Sequence, residues 1–309
     1  MAILIHCPWP NAQVWLDRLR AALPDTEIRV WPELGEPGDI DFAMVWRLPA
    51  GVLSTLPNLK GVCSLGAGVD HFLADPDLPR SLPVARLVDP LMADRMAEYV
   101  SGHVLRYHLR SDDYAARQRQ GVWERLPQKD APARTAGVLG LGHLGAACAT
   151  RLSSLGFRTC GWSRSAKQVA GVETFHGADG LTSMLRQTEI LVCLLPLTAD
   201  TRGILNAETF GRLPRGAALI NVARGDHLVD ADLLAALTSG QLRGATLDVF
   251  RDEPLPAAHA FWRHDRILVT PHVSSLSEPA TAATILAAQY HRCRRGEPMR
   301  DLVDLSAGY

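Results

Sequence analysis

Three polar residues in the last third of the chain have the types and spacing that could carry chemistry. Arg224 and His272 each follow an apolar run, ALINV and RILVT, and should therefore lie just beyond the carboxyl ends of buried strands. Glu253 stands between them in the segment RDEP. A guanidinium binds a carboxylate, an imidazole delivers a proton, and a carboxylate holds the imidazole in place. These are the groups that reduction of a 2-oxo acid requires, so the three residues are catalytic candidates.

The elements that must position these groups alternate along the chain. Apolar runs of strand length alternate with amphipathic segments, which predicts an α/β fold with parallel sheets. Residues 93–120 carry apolar side chains at helical spacing without proline, which predicts one long helix between two α/β series. The last apolar stretch, residues 281–293, predicts a helix that packs back on the first series. Strands are expected near 2–7, 28–31, 42–46, 61–65 and 84–87, then near 136–141, 157–162, 190–195, 217–222, 244–249 and 267–270.

The composition argues against several classes of protein. With 309 residues and a formal charge of -1, the chain is long enough for two domains and has no basic block that would bind nucleic acid or a membrane surface. The start, MAILIHCPWPN, lacks the features of a signal peptide, so we expect a cytoplasmic protein. Six cysteines are scattered without CxxC spacing. We expect them to be reduced buried thiols, with no disulfide framework and no metal.

A glycine-rich turn, GLGHLG, follows the apolar segment TAGVLGL and opens an amphipathic segment. In a dinucleotide-binding turn the first glycine permits the tight bend, the second admits the pyrophosphate, and the third lets the helix pack on the strand. Glycines also occur in ordinary turns, but the strand and the helix on either side favour the dinucleotide site. The predicted cofactor residues of this turn are Gly140, Gly142, His143, Leu144 and Gly145.

The residues after the next predicted strand, FRTCGW, bear on the choice of cofactor. They include Ser163, Arg164 and Lys167, and no acidic residue is present there. A site that prefers NAD usually has a carboxylate at this point, whereas a hydroxylated cationic turn suits a 2′-phosphate. NADPH is therefore favoured over NADH, and a solvated basic turn is the alternative. Asp248, in the run ATLDVF, is a candidate acceptor for the nicotinamide carboxamide, or else a cap or a paired core carboxylate.

Several segments in the same order resemble the D-isomer-specific 2-hydroxyacid dehydrogenase family, and within it the glyoxylate and hydroxypyruvate reductases. They are LGAGVDH, GVLGLGHLG, CGWSRSAK, LLPLTADTRGILN, NVARG, ATLDVFRDEPLP, TPHVSS and the tail DLVDLSAGY. The resemblance covers nearly the whole chain. It implies a flavodoxin-like substrate domain of residues 1–98 plus 276–309 and a Rossmann dinucleotide-binding domain of residues 99–275. It also implies a cleft between these domains and a homodimer.

The resemblance also assigns roles to single residues. It implies that Arg224 binds the substrate carboxylate, that His272 protonates the developing alkoxide, and that Glu253 orients His272. A carboxylate bonded to imidazole favours the protonated ring, which is the form needed for reduction near neutral pH. The further contacts expected are cofactor contacts at Leu195, Pro196, Val222 and Ala223 and substrate contacts at Arg47, Leu65, Gly66, Ala67 and Gly68.

The main functional hypothesis is an NADPH-dependent reductase of small 2-oxo acids such as glyoxylate or hydroxypyruvate. Phenylpyruvate-like substrates stay open at this stage. The same fold also serves a dinucleotide-sensing corepressor-type scaffold and dehydrogenases of phosphorylated hydroxy acids, formate or phosphite. The intact trio of Arg224, Glu253 and His272 favours the enzyme.

Overall fold

The computed structural model describes residues 1–305, which divide into two compact units. The second unit is Ala93–Leu276, and the first consists of Met1–Met92 together with the residues that follow Leu276. Residues 306–309, which the sequence assigns to the first unit and which end the tail motif, lie outside the described residues.

The first unit is built on a five-stranded sheet in which all neighbouring strands are parallel. Its strands are β1 (Ala2–His6), β2 (Glu27–Val30), β3 (Ile40–Val45), β4 (Gly61–Ser64) and β5 (Val84–Ala85), and its early helices are α1 (Ala12–Ala22) and α2 (Asp70–Leu73). The order β2-β1-β3-β4-β5 is the flavodoxin-like order. The helix Pro279–Arg294 packs on α1, as predicted.

The second unit is built on a seven-stranded parallel sheet. Its strands are β6 (Thr135–Leu139), β7 (Arg158–Ser163), β8 (Glu173–His176), β9 (Ile190–Cys193), β10 (Ala217–Asn221), β11 (Leu242–Leu247) and β12 (Ile267–Val269). The order β12-β11-β10-β9-β6-β7-β8 is the Rossmann order with one strand added at an edge. The chain order reverses between β6 and β9, which places the ligand crevice at the carboxyl ends of these two strands. The predicted α/β class with two doubly wound sheets is therefore confirmed.

The helices between residues 90 and 239 are α3 (Pro90–His108), α4 (Ser111–Arg119), α5 (His143–Ser154), α6 (Gly177–Gln187), α7 (Ala207–Arg212) and α8 (Asp230–Ser239). The prediction of one long helix over residues 93–120 is wrong. Arg110 adopts a left-handed conformation, φ 58°, which ends α3. Its guanidinium pairs with Asp113 at 2.7 Å in the first turn of α4. This local ion pair therefore stabilises the start of a second helix, α4, which the spacing of the apolar residues does not reveal.

The six cysteines are free; Cys63, Cys148, Cys160 and Cys193 are buried, and Cys7 and Cys293 are half-buried. Burial raises the pKa of Cys148 and Cys193 to about 12 and that of Cys160 to about 11. A thiol with so high a pKa is a poor nucleophile. These three side chains therefore act as small apolar core groups.

No helix in the described part of the chain combines the length and the apolar character that crossing a membrane would require.

Candidate active site

The glycine-rich turn joins β6 to α5 at the point where the strand order reverses. Gly140 has φ 98°, which only glycine adopts without strain, and a Cβ there would lie 2.6 Å from the carbonyl oxygen of Leu194. A Cβ on Gly145 would lie 1.7 Å from the carbonyl oxygen of Gly140, so helix and turn are in direct backbone contact. At Gly142, which precedes the first residue of α5, a Cβ would meet nothing within 4 Å. The turn thus leaves open space at a helix N-terminus, where backbone amides favour a phosphate.

His143 and Leu144 are the first residues of α5, and His143 is exposed. The turn therefore contains all five residues predicted for it. It fits a dinucleotide because the two close backbone approaches fix the bend while the space beside Gly142 stays open.

The basic turn after β7 contains Ser163, Arg164 and Lys167, and its first residue is also the last residue of the strand. Ser163 is the last residue of β7 and is 8 % exposed, and its hydroxyl donates to the carbonyl of Ser165 at 2.8 Å. Arg164 and Lys167 are both exposed. β7 lies beside β6, so the basic turn and the glycine-rich turn leave the same edge of the sheet. In a dinucleotide site of this fold, the turn after the first strand binds the pyrophosphate. The turn after the second strand lies at the adenosine ribose, where NADPH carries its 2′-phosphate.

The segments after β9 and β10 complete this edge of the sheet. Leu195 is buried and Pro196 is exposed after β9, and Val222 and Ala223 are buried after β10. The amide of Val222 donates to the carbonyl of Cys193 at 3.3 Å, which ties the two segments together where the strands end. The four residues predicted to contact the cofactor therefore lie on neighbouring strands at one edge.

His272 and Glu253 form a hydrogen-bonded pair after β12 and β11. Nδ1 of His272 is 2.9 Å from Oε2 of Glu253, and Oε1 of the same carboxylate accepts the amide of Phe250 at 3.1 Å. Both carboxylate oxygens are thus engaged, which fixes the orientation of the imidazole. Because Nδ1–H donates to the carboxylate, Nε2 is the nitrogen that can pass a proton to a ligand.

The backbone at His272 is held in a left-handed conformation, φ 54°, by the buried residue Asp248. The amide of His272 donates to the carbonyl of Asp248 at 2.8 Å. The carboxylate of Asp248, fully buried, accepts the amides of Val273 at 2.9 Å and Ser274 at 2.8 Å. These bonds hold the His272 turn to the end of β11. Asp248 thus acts as a turn-capping carboxylate, and its contact with a nicotinamide carboxamide stays a prediction.

A hydrogen-bonded chain extends this support to α3. The hydroxyl of Tyr99 lies 2.5 Å from Oγ1 of Thr270, and Thr270 donates to Oδ1 of Asp248 at 2.5 Å. Since the Thr270 proton goes to Asp248, the Tyr99 hydroxyl is the donor to Thr270. Burial raises the pKa of Tyr99 to about 12, so this donor keeps its proton at neutral pH. Through Thr270, these neutral hydroxyl donors face the buried carboxylate of Asp248, which lowers the free-energy cost of burying it.

Arg224 follows β10 in an extended conformation, φ -143° and ψ 153°, and its Nη1 donates to the carbonyl of Ala223 at 2.6 Å. The next residue, Gly225, lies against the backbone that leads to Glu253: a Cβ there would be 1.9 Å from the carbonyl carbon of Phe250. The turn that carries Arg224 therefore touches the turn that carries Glu253, which in turn binds His272. The structure brings the three catalytic candidates onto adjoining segments of neighbouring strands.

Replacing Gly225 with alanine should destabilise the protein by about 3 kcal/mol, because two backbone segments would have to separate. The measurement is the free energy of unfolding in urea. Gly102→Ala on α3 is the matched control, since a Cβ at Gly102 meets nothing within 4 Å. It should be neutral or slightly stabilising. Equal effects of the two substitutions would contradict the close contact.

The predicted substrate loop lies in the first unit, after β4. A Cβ on Gly66 would be 2.7 Å from the indole of Trp46, so the loop backbone lies on that ring. The amide of Gly66 donates to Oγ of Ser64 at 3.2 Å, and the amide of Leu65 donates to the carbonyl of Val45 at 3.2 Å. The amides of Leu65 and Gly66 are thus engaged within the first unit, and the predicted substrate contacts of these residues stay a prediction. Their N–H groups hold the loop itself.

Ala67 and Gly68 carry the amides that the loop can offer to an anion. Arg47 is exposed one residue after Trp46, with φ 49°, at the end of the neighbouring strand β3. The loop and this arginine thus leave the same edge of the first sheet.

Comparison with known proteins places this constellation in a family. Residues 101–274 match the model described as "D-isomer specific 2-hydroxyacid dehydrogenase, NAD binding domain", which is more than half of the chain. The chain belongs to the D-isomer-specific 2-hydroxyacid dehydrogenase family. The matched segment contains the glycine-rich turn and all three catalytic candidates, so the enzyme class predicted from the sequence is confirmed.

The similar proteins cover the chain from end to end. Glyoxylate/hydroxypyruvate reductase A of Serratia proteamaculans is 44% identical, over 100% of both chains. A D-isomer specific 2-hydroxyacid dehydrogenase of Xanthobacter autotrophicus, solved with NADPH and MES, is 43% identical with a TM-score of 0.94, over 100% of this chain and 99% of its own. The NADPH-dependent glyoxylate/hydroxypyruvate reductase of Sinorhizobium meliloti, solved with NADP and sulfate, is 38% identical with a TM-score of 0.93, over 100% and 99%.

Two supporting residues escaped the sequence analysis. The sequence pattern places Tyr99 in a helix and gives it no further role, and His227 is a buried histidine three residues beyond Arg224. Their partners lie on other elements, and helical or strand periodicity does not report such contacts. An available signal was the histidine in RGDH, a polar ring next to an apolar segment that needs a hydrogen-bond partner if it is buried.

Proposed function

We propose that this protein is an NADPH-dependent reductase of small 2-oxo acids, with glyoxylate and hydroxypyruvate as its substrates. The observation that carries this proposal is the 2.9 Å contact between Nδ1 of His272 and Oε2 of Glu253 on the segment next to Arg224. An imidazole held by a carboxylate beside a guanidinium suits a substrate with a carboxylate and a neighbouring carbonyl. The names of the similar proteins in Serratia and Sinorhizobium support the same substrate class.

In this proposal the three residues divide the work. The planar guanidinium of Arg224 binds the substrate carboxylate and polarises the 2-oxo group. Nε2 of His272 gives its proton to the oxygen on which negative charge develops. Glu253 holds the ring through Nδ1 and stabilises the protonated imidazole before the transfer.

The cofactor would bind at the carboxyl ends of β6 and β9, where the strand order reverses. The amides at Gly142 and His143 would hold the pyrophosphate, and Ser163, Arg164 and Lys167 the 2′-phosphate. Leu195, Pro196, Val222 and Ala223 would contact the nicotinamide half. Bound NADPH supplies the hydride that reduces the substrate carbonyl. The relatives from Xanthobacter and Sinorhizobium, solved with NADPH and NADP, support this choice of dinucleotide.

We also propose that the first unit is the substrate domain. Its contribution would be the amides of Ala67 and Gly68, with Leu65, Gly66 and Arg47 around them. An exposed cation and two backbone donors at one sheet edge suit a small anion. The second unit, which carries the glycine-rich turn, would be the dinucleotide domain.

Changing Arg164 to aspartate should weaken NADPH by roughly 10- to 100-fold and leave NADH within about threefold, because a charge-assisted bond to the 2′-phosphate is lost. The readout is the ratio of kcat/KM values for the two cofactors. The matched control is Arg158→Asp, which removes a cation from the other end of the same strand, where Arg158 pairs with Glu173 at 3.4 Å. An unchanged ratio in the Arg164 variant would rule out this phosphate site.

The test of the proposed function is steady-state oxidation of NADPH and of NADH by the purified protein. The substrates are glyoxylate, hydroxypyruvate, pyruvate, phenylpyruvate and 3-phosphohydroxypyruvate. The proposal expects NADPH-linked turnover that is fastest with glyoxylate or hydroxypyruvate. Faster turnover of phenylpyruvate or the phosphorylated acid would reject the substrate assignment, and binding of NADPH without any turnover would reject the reductase.

The protein would work as a homodimer in the cytoplasm. The side chain of Trp123 is fully exposed, and Val122 beside it and Leu109 before α4 are 43% and 49% exposed. The consecutive exposed apolar side chains of Val122 and Trp123 favour a protein contact. The six free cysteines suit a reducing compartment. Sedimentation velocity tests the dimer, and a monomer at micromolar concentration would contradict it.

A further inference from the structure

His227 is a fully buried histidine that the proposed reaction does not use. It ends the short turn Gly225–His227, directly after Arg224, and it is 0% exposed. A buried imidazole needs partners for both ring nitrogens, because an unpaired polar atom away from water is costly. The two partners of this ring connect Arg224 with the segment after β9.

The hydrogen-bond pattern assigns the tautomer of this ring. Nε2 lies 3.3 Å from the carbonyl oxygen of Pro196, which can only accept, so Nε2 carries the proton. Nδ1 is then the acceptor for the amide of Arg224 at 3.2 Å. In the other tautomer Nδ1–H would point to the carbonyl of Arg224 at 3.1 Å, and the lone pair of Nε2 would face the oxygen of Pro196. That arrangement is repulsive and deprives the Arg224 amide of this acceptor.

The backbone of His227 is fixed from two sides. Its amide donates to the carbonyl of Arg224 at 3.3 Å, and its carbonyl accepts the amide of Leu205 at 2.8 Å. The carbonyl of Pro196 also accepts the hydroxyl of Thr201 at 2.6 Å, so the far end of the imidazole bridge is held as well. The ring therefore spans two ordered segments, with a donor at one end and an acceptor at the other.

We propose that His227 is a positioning residue for Arg224: its Nδ1 accepts the amide of Arg224 and so sets where the guanidinium meets the substrate carboxylate, while the bond from Nε2 to the carbonyl of Pro196 orients the ring. This inference rests on the proposed role of Arg224. A rigid ring suits the task because its two nitrogens are fixed relative to each other, whereas a flexible chain would let the turn shift. A shift of about 1 Å in a binding group is enough to weaken a reaction strongly.

Three substitutions separate the two hydrogen bonds. His227→Leu removes both bonds. His227→Asn keeps an acceptor oxygen near the position of Nδ1, and His227→Gln keeps a donor amide near the position of Nε2. The assays are KM and kcat for glyoxylate, the Kd for NADPH, and the affinity of oxamate for the protein–NADPH complex. Oxamate is an unreactive analogue of a 2-oxo acid, so its binding is a readout that does not need turnover.

The proposal expects His227→Leu and His227→Gln to raise the glyoxylate KM and the oxamate Kd by roughly tenfold, the effect of losing the acceptor for the amide of Arg224, which both variants lack. It expects His227→Asn to stay within about threefold of the unmodified protein and all three to keep their NADPH affinity. If leucine prevents folding, the contrast between asparagine and glutamine decides. Equal effects of Asn and Gln, or a loss of NADPH affinity that matches the loss of oxamate affinity, would overturn the proposal.

A double-mutant cycle tests whether His227 acts through Arg224. In an Arg224→Gln background, His227→Leu should have little further effect on oxamate binding, because its target is gone. A full and independent loss in that background would overturn the inference. Absence of turnover in the unmodified protein would reject the reductase instead, while the oxamate contrast would still decide the role of His227.

Discussion

Substituting His272 with alanine should lower kcat for glyoxylate by roughly 10²- to 10⁴-fold, the contribution of a positioned proton donor. The Kd for NADPH should change by less than about twofold, because the ring lies on the segment after β12 and not at the glycine-rich turn. The measurements are steady-state kinetics and fluorescence titration of NADPH. A loss of kcat without a loss of cofactor binding is the signature of a group that acts only in the chemical step.

His291→Ala is the control for this experiment, since His291 is an exposed histidine on the helix Pro279–Arg294 of the other unit. It should leave kcat and KM unchanged. Glu253→Gln should give a smaller loss than His272→Ala, because the ring keeps a hydrogen-bonding partner but loses the negative charge. Near-normal kcat in the His272 variant would remove this residue as the acid.

Substituting Arg224 with glutamine should lower kcat/KM for glyoxylate by roughly 10²- to 10³-fold, since two charge-assisted hydrogen bonds to the carboxylate would be lost. Most of the loss should appear in KM, because the carboxylate is bound both before and during the reaction. Arg224→Lys keeps the positive charge without the planar guanidinium, so its kcat/KM should fall between that of the unmodified protein and that of Arg224→Gln. The readout is the full dependence of rate on glyoxylate concentration.

The matched control is Arg202→Gln, which removes an exposed arginine that pairs with Asp226, two residues beyond Arg224. It should change kcat/KM by less than about threefold, as exposed ion pairs contribute little. If both arginine substitutions had the same effect, general loss of positive charge near the site would explain the result, and Arg224 would lose its specific role.

Residues of the buried strands were predictable because parallel sheets covered on both faces leave continuous apolar runs. The runs before Arg224 and His272 became β10 and β12, and the glycine spacing at Gly140 and Gly145 reported backbone contacts that a side chain would block. These signals are local. They depend on a few consecutive residues and are therefore visible in the sequence.

Most of the parts that were missed depend on contacts between distant segments. The edge strand β8 has four residues, all exposed or half-buried, so no run of apolar residues marks it in the sequence. The role of Asp248 depends on the amides of Val273 and Ser274, and that of His227 on the carbonyl of Pro196. The break at Arg110 depends on ion pairs at the start of α4. Periodicity measures burial along one element and reports neither the contacts of Asp248 and His227 with other elements nor the polar pair at the start of α4.

The left-handed backbone at His272 has a consequence for the evolution and engineering of this chain. A side chain in that conformation costs about 1 kcal/mol or more compared with glycine. The fold tolerates this cost because Asp248 holds the turn through three hydrogen bonds. Selection for thermal stability alone would therefore favour glycine at position 272 and discard the proton donor. Libraries screened by heat should be screened for turnover as well, because at this position the two criteria oppose each other.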